Sequence, residues 1–316
     1  MSRWLRTTLL TGLALAGCGG DREEPAARSP WTPIGRTLSG PLVPGSPNVC
    51  NRGGVRCIDA VVAEMTRRLD PLAAGCDHRA PFALMYLRVT EAVGEAERNG
   101  SLRADRLYLS HLDAIFARLY FEASDAWASG RRDAVPAAWL IAFEAAKRRR
   151  VSGVGDLLLG MNAHISRDLP FAVASIGLGA GNGVARERAF AEINRVLADV
   201  HDEILRETAG RFDPTIAGFR LPVLKLDAAT VGLVLGKWRD TALQDGRRLL
   251  RARTPERRAA VERTIEDNAA ARAALIVAAT SRVSFSEAGK ERDRFCAREA
   301  SAESGVRTAP PTGRSL

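Results

Sequence analysis

Lysine and histidine are scarce in this chain. Lys147, Lys225, Lys237 and Lys290 are the only lysines among 46 basic residues, and the rest are arginine. The histidines are His78, His111, His164 and His201, too few for a three-metal centre built largely from imidazole. No Gly-x-Ser-x-Gly elbow and no His-Glu-x-x-His helix is present, so the serine-hydrolase and zincin signatures are missing. No stretch alternates apolar and polar residues as a half-buried strand does, and no segment repeats. That argues against sandwiches, barrels and solenoids. Beyond Cys18 no apolar run has the length of a membrane span. Aromatics make up 6% of the chain and are not interleaved with the basic residues, so nucleic-acid binding is not expected.

What is present begins with an export signal. Arg3 and Arg6 form a basic start, and Leu9 to Ala16 is a short apolar core. Leu15-Ala16-Gly17-Cys18 then matches a bacterial lipobox. Residues 1–18 are therefore expected to be a lipoprotein signal peptide. Acylation of Cys18 would anchor the exported protein to the membrane of the cell envelope. Residues 19–56, rich in Pro, Gly, Ser and Arg at their start, are expected to form a flexible tether. With Cys18 lipidated, Cys50, Cys57, Cys76 and Cys296 remain, an even number suited to an oxidising compartment. Cys50 and Cys57 flank Asn51-Arg52-Gly53-Gly54, a stretch able to turn sharply. The pairing taken is Cys50 with Cys57 and Cys76 with Cys296, with the other two connectivities open.

Residues 57–300 read as one all-helical domain, a multi-helix bundle around a buried central helix. Helices are predicted over 58–69, 81–97, 103–128, 135–150, 154–168, 187–208, 227–251, 254–279 and 284–298. Asn99-Gly100 stops the second, and Thr254-Pro255 starts the eighth as N-cap and first residue. Pro136 is placed in a first turn and Arg148, Arg149 and Arg150 in a last one. Gly177 to Gly183 lacks the strand and the third glycine of a dinucleotide fingerprint, so it is read as a connection. Residues 301–316 are expected to be a disordered tail.

The central stretch is Leu157 to Val173. A helix apolar on all sides is normally enclosed by others. His164 and Asp168, four apart, share one of its faces, and buried polar groups must satisfy each other or a third partner. Pro170 disfavours a helical Leu169, so Asp168 reads as the N-cap of a second helix, with His164 bonded to it. Gly160-Met161-Asn162-Ala163-His164-Ile165, followed by Asp168-Leu169-Pro170, resembles the hallmark of a bacterial family of unknown function, DUF5995. The likeness extends to Ile58 to Val62, Tyr86 to Thr90, Phe116 to Tyr120, Trp139, and Phe190 to Asn194. It implies an all-helical domain and no particular activity.

His111 and His201 lie on the apolar stripes of their own helices, with Asn194 on the stripe of His201. The candidate core site is thus His164, Asp168, His201, Asn194 and His111. His164, Asp168 and His201 are candidate ligands for a divalent metal. The His164–Asp168 spacing is also similar to a His-x-x-x-Asp pair of the all-helical zinc phospholipase C and P1 nuclease group. Where that group has an acid four after a histidine, this chain has Ile115 and Leu205. Two functions follow as expectations. One is an envelope lipoprotein whose helical domain binds a protein partner or small ligand. The other is a metal-dependent hydrolase acting on lipid or phosphoester. The net charge of +9 concentrates at Arg247, Arg248, Arg251, Arg253, Arg257 and Arg258. These could meet anionic lipid, but Glu256, Glu262 and Glu266 lie near them and the face is read as solvated.

Overall fold

The computed structural model describes residues 34, 38, 40–178, 183–217, 228–284 and 287–308. The lipobox, the centre of the glycine-rich connection and the last eight residues lie outside that set. The described chain is helical, with no strand among those residues. It runs through α1 (Val49–Arg52), α2 (Val55–Ala74), α3 (Ala80–Arg98), α4 (Arg106–Ala128), α5 (Ala137–Lys147), α6 (Gly153–Asn162), α7 (Leu169–Ile176), α8 (Gly183–Arg211), α9 (Ala228–Arg251), α10 (Pro255–Ser284) and α11 (Glu287–Thr308). Helix starts follow local chemistry. Asp105 accepts from the Tyr108 N–H, Ser152 from Gly155 and Thr254 from Arg257, each satisfying a donor with no helical partner. Pro136 sits just before α5 rather than inside it, and Arg148 follows its last residue.

The central helix is one continuous rod, not two. α6 runs into a π-helical turn, Ala163–Asp168, and on into α7. Asp168 keeps helical backbone angles and caps nothing, contrary to the sequence expectation. Pro170 has no N–H to give, and its ring crowds the carbonyl four residues back. The widened turn accommodates this: the Leu169 N–H bonds to the His164 carbonyl, five residues back. Such single π turns recur where a helix positions functional groups. α3, α4, α5, α9 and α10 all pack against the rod, as a helix apolar on every face requires.

Two segments differ from expectation. Part of the expected tether is packed on the body: Ile34 and Leu38 are buried, and His111 Nδ1 and Nε2 lie 2.6 and 2.9 Å from the carbonyls of Cys50 and Gly40. Gly53 turns the chain with φ +71°, and a side chain there would strike the Leu107 carbonyl. At the other end α11 continues to Thr308, past the point where a disordered tail was expected to begin.

Both expected disulfides form, Cys50–Cys57 and Cys76–Cys296. The second fixes α11 to the end of α2. Beside it Arg292 is buried and donates to Asp156 at 2.8 Å and to His78 Nδ1 at 3.1 Å. His78 Nε2 is 2.9 Å from Asp293, which also takes Arg149 at 2.7 Å. Two disulfides indicate an oxidising, exported setting. No helix among the described residues is long and apolar enough to cross a membrane.

Candidate functional site

His164 and Asp168 sit in the π turn, 3% and 0% exposed. The Asp168 Oδ2 accepts from Trp139 Nε1 at 2.8 Å and lies 3.3 Å from His164 Nδ1. Its Oδ1 accepts from Arg167 at 3.0 Å, and Arg167 reaches on to Glu266 at 2.7 Å. A carboxylate so placed only accepts, so His164 carries its proton on Nδ1 and presents a bare Nε2. Burial lowers the His164 pKa below the usual histidine value, Asp168 works against that, and the positive charge of Arg239 adds to it. The imidazole is therefore neutral.

Aromatic rings wall it in. Phe116 stacks on the imidazole with centroids 3.4 Å apart, Tyr86 lies at 4.2 Å, and Phe82 meets it edge-on at 5.8 Å. Gly160 makes this possible, since any side chain there would occupy the space of the Phe82 ring. The small residue of the Gly-Met-Asn-Ala-His stretch thus admits the ring that covers the histidine one turn later.

Several polar atoms in this region are closed off from solvent with no hydrogen-bond partner. They are His164 Nε2, the Tyr86 hydroxyl, Thr90 Oγ1 on the same helix as Tyr86, and Asp113 Oδ2. Burial first, then the nearby charge of Glu97, pushes the Asp113 pKa up to about 7. Burial, followed by Asp113, Asp168 and Tyr120, raises the Tyr86 pKa well above the usual phenol value. On the α9 side Arg239 donates from Nε to Asn194 Oδ1 at 2.6 Å, and burial lowers its pKa to about 10.

The expected convergence of histidines does not occur. His111 is buried but spent on the backbone carbonyls of Cys50 and Gly40. His201 lies near the surface of α8, with Nδ1 3.0 Å from Asp202. An apolar stripe shows which side of a helix faces inward, not which neighbour it faces, and this is why the stripe positions misled. Among the described residues no three His, Cys, Asp or Glu side chains could hold a metal ion together. Of the three expected ligands, His164 and Asp168 are brought together while His201 is bonded to Asp202, and Asp168 accepts from Trp139 and Arg167. Asn194 accepts from Arg239. Tyr86, Phe116 and Trp139 fall in the stretches that carry the family resemblance. Asp113 and Arg239 gave no sequence signal, being single charges among helical neighbours.

Chemically the site offers an acceptor at His164 Nε2, a donor at Tyr86 and a cation at Arg239. Among the described residues no nucleophile is hydrogen-bonded to the imidazole. These features define a class: an all-helical bundle with a carboxylate-oriented histidine in an aromatic interior. The chain belongs to the family of unknown function DUF5995, whose pattern matches residues 58–279. Neither a curated protein nor a solved structure matches it.

Proposed function

We propose that this is an exported lipoprotein, anchored through an acylated Cys18, whose helical domain binds a small polar ligand against His164. The observation that carries the binding reading is that His164 Nε2 and the Tyr86 hydroxyl are both buried without a partner, on rings whose centres are 4.2 Å apart. Buried polar atoms are almost always hydrogen-bonded, so an orphaned acceptor and an orphaned donor on neighbouring rings call for a partner. Asp168 and Trp139 fix the imidazole in advance, which reduces the ordering cost of binding. The anchor reading rests on the basic start, the apolar core and the lipobox together, in a protein with two disulfides.

Two experiments test these parts. Mass spectrometry of material released on unfolding the purified protein should find one small organic species. That species should be lost from a Tyr86→Phe, His164→Leu double variant. If nothing is released, and no compound in a thermal-shift screen favours wild type over the variant, the binding reading is rejected. Cys18→Ser should move the protein from the membrane fraction to the soluble fraction, because an anchor of more than one acyl chain is effectively permanent. A variant that still sediments with membranes after a high-salt wash would reject the anchor.

A further inference from the structure

We infer that the ligand carries an oxyanion head, carboxylate or phosphate, and that Arg239 is the group that takes it. This rests on the small-ligand reading above and specifies it. Three enclosed arginines in this protein meet carboxylates: Arg68 meets Glu64 and Asp125, Arg167 meets Asp168 and Glu266, and Arg292 meets Asp156 and Asp213, while Arg272 bonds instead to Asn162 and Ser166. Arg239 meets no carboxylate among the described residues. Its one hydrogen bond runs from Nε to Asn194 Oδ1, and its guanidinium carbon lies 5.7 Å from the Phe190 ring centre. The Nη1 and Nη2 hydrogens have no acceptor there.

Arg239 is partly buried and no carboxylate is bonded to its guanidinium among the described residues, so an incoming anion would supply the ion pair that Arg68, Arg167 and Arg292 already have. The planar fork of a guanidinium fits the two oxygens of a carboxylate or phosphate. Asn194 holds the Nε edge, which leaves the Nη edge as the free one. α9 packs along α7 and the π turn, so Arg239 and His164 are carried by neighbouring elements. A ligand with its oxyanion on Arg239 would then place a hydroxyl or amine hydrogen toward His164 Nε2.

Calorimetric titration of the purified full chain with inorganic phosphate and, separately, acetate tests this. One of the two should bind wild type, and which one binds distinguishes a phosphoryl from a carboxylate ligand. Arg239→Gln should weaken that binding roughly ten- to hundredfold. Arg251→Gln, an exposed change on the same helix, should not. The unliganded Arg239→Gln protein should melt close to the wild-type temperature, because no ion pair is removed. Should it fail to fold, Asn194→Ala, which frees the Nε edge, should weaken binding severalfold. No binding of either anion to wild type, or undiminished binding to Arg239→Gln or Asn194→Ala, overturns the inference. A neutral species released from wild type and from Arg239→Gln, but not from the Tyr86 and His164 double variant, would remove the anion and leave the ligand reading in place.

Discussion

Asp113 and His164 are titrating groups in one interior, and they act on stability in opposite senses. The Asp113 pKa is raised from 3.8 to about 7, so between those values the folded protein keeps a proton that the unfolded chain has released. Its contribution is complete at low pH, falls as pH rises through that window, and is gone above it. The His164 pKa is lowered from 6.5, so the unfolded chain takes up a proton first and stability falls as pH drops below that value. Asp113→Asn isolates the first effect, since the amide stays neutral. The variant should gain over wild type between about pH 4 and pH 7, reaching about 2 kcal/mol by pH 8, a figure discounted because Asp113 is partly open to solvent. Urea unfolding at several pH values measures it, and a difference independent of pH would refute it. For Asp168 the expected order is steep. Asp168→Ala strands Trp139 and His164, leaves Arg167 with Glu266 alone, and should cost about 3–5 kcal/mol. Asp168→Asn keeps an acceptor oxygen and should cost about 1–2 kcal/mol.

At the scale of elements, periodicity marked most of the helices, because an apolar stripe repeated over four or more turns has no other reading. What it could not show was the join at Asp168. A proline inside an apolar run reads as a boundary by its local sterics, yet the π turn absorbs it within one rod. The choice between break and bulge is made by the surrounding helices, which cover both halves. The same covering makes Gly160 sensitive. Gly160→Ala puts a methyl group where the Phe82 ring stands and should cost about 1–3 kcal/mol by overpacking. It should also displace Phe82 from the imidazole, so the His164 ring-proton NMR shifts should move even where the fold survives. Unchanged stability and unchanged shifts would mean that Phe82 relaxes freely.

For the molecule as a whole, the disulfide pairing was legible and the assembled site was only half so. Four cysteines in an exported chain leave three connectivities, and the short turn between Cys50 and Cys57 favoured the one that forms. His164, Asp168 and Trp139 stood in recognisable stretches, but Arg239 reaches the site from α9, and nothing in a linear pattern records which helices become neighbours. The family match ends at residue 279, so α11, with Cys296 and Arg292, lies beyond it. Cys296→Ser should cost about 2–5 kcal/mol through the loop that the bridge closes. Calorimetric melting should show it, and an unchanged transition would mean that the Arg292 cluster holds α11 unaided. The bridge spans 220 residues of sequence, and that span has a consequence in time. A chain delivered N-terminus first brings out Cys50, Cys57 and Cys76 close together, while Cys296 arrives almost at the end. Only a prompt Cys50–Cys57 closure leaves Cys76 without a wrong partner during the wait. Early closure of Cys50 with Cys57 would thus reserve the Cys76 thiol for Cys296, 220 residues further on.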